Sequence, residues 1–269
     1  MSKHDMIGKP AVILLPDGTR RGTILREGGE LETKYGRIRH DDILRAGWGG
    51  EVKTSAGHTV VVIKPTIIDL IDLFFERTSQ VIYPRDASWM IAMSGIRAGS
   101  RVGEAGTGSG FLTCMLAHTV YPDGKVYTFE IRDDMIKTAR RNLSLTEYAS
   151  IVEMYRHDVR TGIPVGELDA FFLDMPDPWS VLEHVHSSLK SNGCILIFVP
   201  TVNQVIKVLR HIKETGLFTG VRVMETSVRE YRCNPEALRP ESVQVVHMGY
   251  IVFARKNLIK ASKAECLKP

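Results

Sequence analysis

Seven residues, Glu104-Ala105-Gly106-Thr107-Gly108-Ser109-Gly110, carry the most chemical information in this 269-residue chain. Glycines at 106, 108 and 110 let the backbone turn sharply and let a ligand approach bare main chain. The run begins in a segment from Arg101 that reads as a strand. It ends where Ser109 to about Thr119 reads as a helix. The first amides of that helix carry partial positive charge and suit a carboxylate or a phosphate. A dinucleotide loop needs G-x-G-x-x-G, but here the third glycine comes one residue early. Two acids follow on neighbouring strands. Glu130 ends the strand Lys125–Phe129, about 20 residues past the glycines, where an acceptor for a ribose hydroxyl belongs. Asp158 follows the strand Ile151–Tyr155, where it could receive the amino group of an adenine. A glycine loop and two acids on three successive strand ends point to a nucleoside ligand.

A second group of residues faces the other side of that ligand. The strand Ala170–Leu173 ends in Asp174-Met175-Pro176-Asp177-Pro178-Trp179. Two prolines lock an extended loop and leave its carbonyls free. An acid there can accept a hydrogen bond from the exocyclic amino group of a base, and a flat ring can stack on it. The plainer readings are a helix cap or salt bridge for Asp174, a solvated acid for Asp177 and core packing for Trp179. Upstream, Gln80–Ser88 sets Tyr83 beside Pro84. That ring either stacks on a target base or is a buried structural tyrosine.

The elements that must position these residues follow from periodicity. Residues 1–64 read as short strands between Gly and Asp turns: Pro10–Leu15, Arg21–Arg26, Glu32–Ile38, His40–Leu44 and His58–Lys64. Together they predict a small antiparallel β barrel or sandwich. Its frequent basic residues (Arg20, Arg21, Arg26, Lys34, Arg37, Arg39, Arg45) are either a solvated surface or an RNA-contacting appendix. Residues 65–77 predict a connecting helix, with Ile67, Ile68, Leu70, Ile71 and Leu73 at helical spacing.

Residues 78–256 alternate helix and strand. Helices are predicted over Asp86–Gly95, Asp133–Leu145, Val181–Leu189 and Asn203–Thr215, with Asn192-Gly193 as a helix stop. Strands are predicted at Arg101–Glu104, Ala170–Leu173 and Cys194–Val199. The run Ala170–Leu173 is apolar on both faces, as a buried parallel strand is. Two longer β segments, Val221–Tyr231 and Ser242–Arg255, have no helix between them and so pair antiparallel. Residues 257–269 form a polar, lysine-bearing tail.

Composition bounds the rest. Hydrophobic residues make up 43% and charged ones 25%, ordinary for a globular protein. No apolar run reaches the ~20 residues that span a bilayer, and the first residues carry no signal-peptide pattern. Cys114, Cys194, Cys233 and Cys266 are widely separated, which argues against zinc and against a disulfide framework. An intracellular, cytoplasmic setting without membrane or metal is expected. The net charge of +4 is compatible with an RNA partner without demonstrating one.

The E-x-G-x-G-x-G form is the pattern of S-adenosylmethionine-dependent methyltransferases. With Gln80–Ser88, Leu173–Trp179 and Val245–Arg255, the chain resembles the tRNA (adenine-N1)-methyltransferases of the TrmI type, which methylate adenosine 58 in the T loop. The similarity spans nearly the whole chain and is weakest in the N-terminal β region. It implies an α/β fold: a class I methyltransferase (Rossmann-like) sheet with a small N-terminal β domain. It also implies S-adenosylmethionine as cofactor, tRNA as partner and a homotetramer. In eukaryotes a related non-catalytic subunit is the partner instead. Archaeal members can also modify position 57.

By this resemblance Asp174 matches the catalytic aspartate and also borders the cofactor, and Tyr83 matches the base-contacting aromatic. Glu104, Gly106 and Gly108 belong to the cofactor loop, and Ser109, Gly110 and Phe111 to its methionine end. Glu130 matches the ribose ligand, Asp158 with Val159 the adenine side, and Ile82 a backbone contact. Some relatives carry an arginine near Met135; this chain does not. The competing readings are a methyltransferase with a protein carboxylate as acceptor, and a non-catalytic RNA-binding subunit.

Overall fold

The computed structural model describes residues 5–78, 80–242 and 247–257. The chain divides into two compact units, one ending at Glu76 and the other beginning at Arg77. The first unit holds a four-stranded antiparallel sheet in the order β2-β1-β6-β5. These strands are β1 (Pro10–Leu14), β2 (Arg20–Ile24), β5 (Glu51–Lys53) and β6 (Thr59–Ile63). A separate hairpin pairs β3 (Glu30–Thr33) with β4 (Gly36–Arg39). In β6, Val60 and Val62 point inward while their neighbours face out, the period-2 pattern of a half-buried strand. They join Ile13, Leu25, Ile38 and Ile43 in one core.

Two expectations fail here. His40–Leu44 is not a strand but part of helix α1 (His40–Ala46). Its buried residues, His40, Ile43 and Leu44, fall at helical spacing. Asp41 and Asp42 in the first turn and Arg45 in the last favour the helix dipole. Glu32–Ile38 is not one strand but the β3–β4 hairpin, which turns just before Gly36 at φ 101°. The helix predicted over 65–77 is α2 (Ile67–Leu73), started by a reciprocal cap between Thr66 and Asp69. It belongs with the first unit: Asp69 pairs with Arg20, and Phe74 lies against Gly22.

Charge in this unit is balanced. Residues 1–76 contain eleven Lys and Arg against eleven Asp and Glu. Arg20, Lys34, Arg37, Arg39 and Arg45 each sit on an acid of the same unit. The balance favours the solvated-surface reading of these arginines over phosphate contact.

The second unit is built on a seven-stranded sheet in the order β12-β15-β11-β10-β7-β8-β9. In chain order the strands are β7 (Arg101–Ala105), β8 (Lys125–Glu130), β9 (Val152–Arg156), β10 (Leu168–Leu173), β11 (Leu189–Val199), β12 (Phe218–Met224) and β15 (Tyr250–Lys256). From β9 to β11 every pairing is parallel. β15 runs antiparallel to both β11 and β12, so one reversed strand lies next to the edge as expected. Among the described residues five α-helices accompany the sheet: α3 (Pro84–Ser94), α4 (Phe111–Val120), α5 (Asp133–Leu143), α6 (Leu182–Ser188) and α7 (Val202–Thr215).

The centre of the sheet is fully buried on both faces. Phe171 stacks on Phe129 with ring centroids 6.4 Å apart and planes 2° from parallel. Gly103 in the adjoining strand has room for no side chain, since a Cβ there would lie 2.4 Å from the Phe171 ring.

Three boundaries differ from expectation. Asn192-Gly193 does not stop a helix; α6 ends at Ser188, and both residues lie inside β11. The strand absorbs them where its register with β10 shifts between Leu168 and Ala170. The long segment Val221–Tyr231 breaks after Met224, and a small hairpin follows, β13 (Tyr231–Arg232) with β14 (Arg239–Pro240). The last strand begins at Tyr250; Val245 and Val246 and the tail from 258 lie outside the described residues.

Phe171→Ala should lower stability by about 3–5 kcal/mol, the usual cost of emptying a fully buried aromatic site. Denaturant titration measures this, and a loss under 1 kcal/mol would mean the sheet centre repacks.

Candidate active site

β7, β8, β10 and β11 all end on one side of the sheet, and the residues that could act on a ligand collect there, at the carboxyl ends where open α/β sheets place their ligands. A cavity of about 410 Å³ opens at this edge. Its walls include Gly106, Gly108, Glu130 and Asp174 together with Gln80, Met135 and Phe198.

The glycine loop has a specific steric reason to exist. Gly106, Gly108 and Gly110 have φ of 94°, 51° and 81°, in the left-handed region. Gly106 is also pressed onto the loop after β10. A Cβ on it would lie 1.9 Å from the Asp174 carbonyl oxygen. The contact is reinforced by the Asp174 amide, which donates to the Ala105 carbonyl at 2.9 Å. Gly110 caps α4, so the helix starts at Phe111 rather than Ser109.

Glu130 is held by the backbone. Its Oε2 accepts from the Gly108 amide at 3.1 Å, and its Oε1 from the Ile131 and Arg132 amides at 2.9 and 3.0 Å. These bonds fix the carboxylate at the cavity wall. Asp174 shares the cavity with it. Burial, and then the charge of Glu130, pushes the Asp174 carboxyl up to about 7.

Glu104 is brought near but not into the cavity. It is completely buried; its Oε2 accepts from the Thr113 hydroxyl at 2.6 Å, and its Oε1 has no protein partner. Burial drives its carboxyl up to about 8, with added repulsion from Asp174 and Glu130. Glu104 is therefore a largely neutral acid behind the loop at neutral pH.

The remaining sequence candidates, Ile82, Tyr83, Ser109, Phe111, Asp158, Val159 and Trp179, do not themselves line the cavity. The Ser109 hydroxyl bonds Thr78, through its amide at 3.2 Å and its hydroxyl at 3.1 Å, and so braces the segment before Gln80. Phe111 and Ile82 are buried, while Val81 beside Ile82 reaches the wall. Tyr83 is half-buried at the N-terminus of α3. Arg77 lies over its ring at 5.3 Å and donates to its hydroxyl at 3.1 Å. Asp158 caps the short turn Val159–Thr161, and Val159 enters the core beneath it. Trp179 packs against the central core with Lys207 4.7 Å from its ring centroid.

Met175 and Pro176 come from the proline loop read in the sequence, but several wall residues were not singled out there: Arg132, Phe198, Pro200, Gln204 and Met248. Phe198 and Pro200 follow from the strand-end rule alone, since they close β11. Met248 lies in the segment Val245–Arg255 but was given no role, and Gln204 had no local signal; the sheet order brings them there. Met135 lines the wall, and Arg132 lines it three residues earlier.

This strand order, with a glycine loop after β7 and an acid closing β8, defines a class I S-adenosylmethionine-dependent methyltransferase fold. A family model described as tRNA methyltransferase complex GCD14 subunit matches residues 58–249, and the chain belongs to that family. It is 34% identical to the tRNA (adenine(57)-N(1)/adenine(58)-N(1))-methyltransferase TrmI of Methanocaldococcus jannaschii, over 90% of this chain and 94% of that one. The crystal structure of tRNA (m1A58) methyltransferase TrmI from Aquifex aeolicus superposes with a TM-score of 0.81 at 32% identity, covering 94% of this chain and 98% of that one. A structure from Thermotoga maritima, described as an S-adenosylmethionine-dependent O-methyltransferase, gives a TM-score of 0.86 at 31% identity, covering 94% and 95%.

Glu104→Gln tests the neutral state of the buried acid. A carboxyl raised from 4.5 to about 8 on folding takes up protons relative to the unfolded chain in that window, so its share of stability is full at low pH and fades as pH rises. The glutamine variant has no such titration. Its stability relative to the native chain should rise between about pH 5 and about pH 8, read as denaturation midpoints. A pH-independent difference would mean Glu104 is ionised throughout.

Proposed function

We propose that this chain transfers the methyl group of S-adenosylmethionine to N1 of adenosine 58 in the T loop of tRNA. The observation that carries the reading is the contact between Gly106 and the Asp174 carbonyl, which sets the two halves of one cavity edge to edge. The residues present suit the cofactor. Glu130 offers a fixed acceptor for ribose hydroxyls. Asp158 beside Val159 offers one for the adenine amino group. The bare backbone of Gly106 and Gly108, with Ser109, Gly110 and Phe111 behind it and the backbone at Ile82 opposite, takes the methionine end. Two carboxyls on the wall, Glu130 and Asp174, favour a ligand with a positive centre. When bound, the cofactor supplies an activated methyl group.

On the acceptor side, Asp174 accepts a hydrogen bond from the adenine N6 amino group. That contact orients the base and stabilises the positive charge that develops on the ring at N1. The reacting nitrogen is accessible only when the base is unpaired, so the adenosine must be drawn out of the T loop, at a cost of a few kcal/mol. Tyr83 contacts the extracted base at the N-terminus of α3. The apolar wall of Met135, Met175 and Phe198 keeps water from the reacting atoms.

Incubation with isotopically labelled cofactor and bulk tRNA, followed by nucleoside mass spectrometry, tests the reading and maps position 57 alongside 58. N1-methyladenosine supports it. A methylated oxygen would instead favour the chemistry named for the Thermotoga relative, and no transfer would favour a non-catalytic RNA-binding subunit. Asp174→Asn should lower turnover by about 100-fold or more. In the native enzyme Asp174 accepts hydrogen bonds best when ionised, so kcat/KM for the cofactor should rise with pH and level off above about 7. The asparagine variant should lose that rise; near-normal turnover would remove Asp174 from the mechanism.

A homotetramer in the cytoplasm completes the proposal. Trp89, Val223, Val228, Tyr231 and Leu238 leave large apolar side chains uncovered on the single chain, as subunit contacts would require. Light scattering should return four times the chain mass, and a monomer would contradict the assembly. Among the described residues no helix is long and apolar enough to cross a membrane, and no group of His, Cys, Asp and Glu could hold a metal ion.

A further inference from the structure

Arg160 joins two acids from different loops, Asp158 after β9 and Asp177 after β10. Asp158 follows β9, and its Oδ1 accepts from the Arg160 amide at 3.0 Å and from Arg160 Nη1 at 3.2 Å, while its Oδ2 is 3.4 Å from the same Nη1. Asp177 belongs to the loop after β10. Arg160 Nε donates to its Oδ2 at 3.1 Å and Nη2 to its Oδ1 at 2.5 Å. This two-pronged contact fixes direction as well as distance, which a lysine cannot reproduce. The arginine backbone is itself anchored, since its carbonyl lies 3.2 Å from His184 Nε2 of α6.

The loop held by this fork is the acceptor loop. Its root is pinned where the Asp174 amide meets Ala105. Gln204 Nε2 holds the Pro176 carbonyl at 3.0 Å, and the Ser180 hydroxyl closes on the Asp177 carbonyl at 2.7 Å. Between those points Asp177 is gripped from the adenine side by Arg160. Isolated exposed ion pairs contribute little. Here the three side chains are only 33–40% exposed and share one guanidinium, so moving either acid moves the other.

We propose that Arg160 is a positioning residue that ties the acceptor loop Asp174–Trp179 to the turn at Asp158, so that filling the donor half of the site orders the acceptor half. The inference rests on the reading above, in which Asp158 faces the cofactor's adenine and Asp174 the target base. An amino group arriving at Asp158 competes first for Oδ2, which makes the longest contact to Arg160. The guanidinium keeps Oδ1 and its fork on Asp177, and the loop is then held against an occupied donor site. Linkage makes the effect reciprocal: a base seated on the loop must tighten the donor site by the same factor.

Calorimetry with S-adenosylhomocysteine, in the absence and presence of tRNA, reads this coupling without turnover. In the native enzyme tRNA should tighten S-adenosylhomocysteine binding by about threefold to tenfold. Arg160→Ala should abolish the tightening and raise KM for tRNA more than it lowers kcat. Arg160→Lys should restore part of it. Asp177→Asn should reproduce the alanine result and add nothing to it in the double variant. Thermal melts of the same variants identify any that fail to fold, and Asp177→Asn supplies the second, milder break. Native-level coupling in folded Arg160→Ala, or additive effects in the double variant, overturns the proposal. Methyl transfer to tRNA by the native enzyme reads the function separately: transfer without any coupling overturns the linkage alone.

Discussion

The site depends on the approach of one backbone to another. At Gly106 the glycine loop runs against the carbonyl of Asp174, too close for any side chain to intervene. The Asp174 amide returns the contact by bonding Ala105. The two loops leave neighbouring parallel strands, β7 and β10, at the centre of the sheet, where Phe171 and Phe129 stack and Gly103 yields space to the ring. A rigid, fully buried sheet centre thus delivers two loops to a fixed separation, and the chemistry is arranged around their seam.

Three acids near that seam are treated differently by their surroundings. Glu130 is ringed by backbone amides, which hold a carboxylate in place without consuming all its lone pairs. Glu104 is completely buried with the Thr113 hydroxyl on its Oε2, so burial keeps it largely protonated. Asp174 lies between these extremes, near the point where it changes charge at neutral pH. A cation in the cavity would draw it toward the ionised form. Carboxyl groups of two residue types thereby become an anchored carboxylate, a neutral brace and a group poised to change charge, and their surroundings separate the three.

The N-terminal unit contributes differently from what its arginines suggest. Arg20, Arg37, Arg39 and Arg45 are paired with acids within the same unit, and the excess positive charge of the chain falls after residue 76, with 24 Lys and Arg against 20 Asp and Glu. Any phosphate recognition carried by net charge therefore belongs to the unit that holds the cavity.

The sequence by itself determined the class of the sheet, because buried parallel strands, helix spacing and the E-x-G-x-G-x-G loop are local patterns with local causes. It identified Gly106, Gly108, Glu130 and Asp174, which do meet at one cavity, because strand ends are where such sheets expose polar groups. It misread His40–Leu44 as a strand, since a seven-residue helix among short strands offers only two turns of periodicity. It also took Asn192-Gly193 for a stop, though there the strand pairing overrides the local turn preference. Only the tertiary structure decided that Glu104 stands behind the loop, that Trp179 packs inward beneath Lys207, that Gln204 and Met248 wall the cavity, and that Arg160 spans Asp158 and Asp177. Those outcomes depend on which strands lie side by side and how closely their loops approach, distances that no residue spacing along the chain encodes.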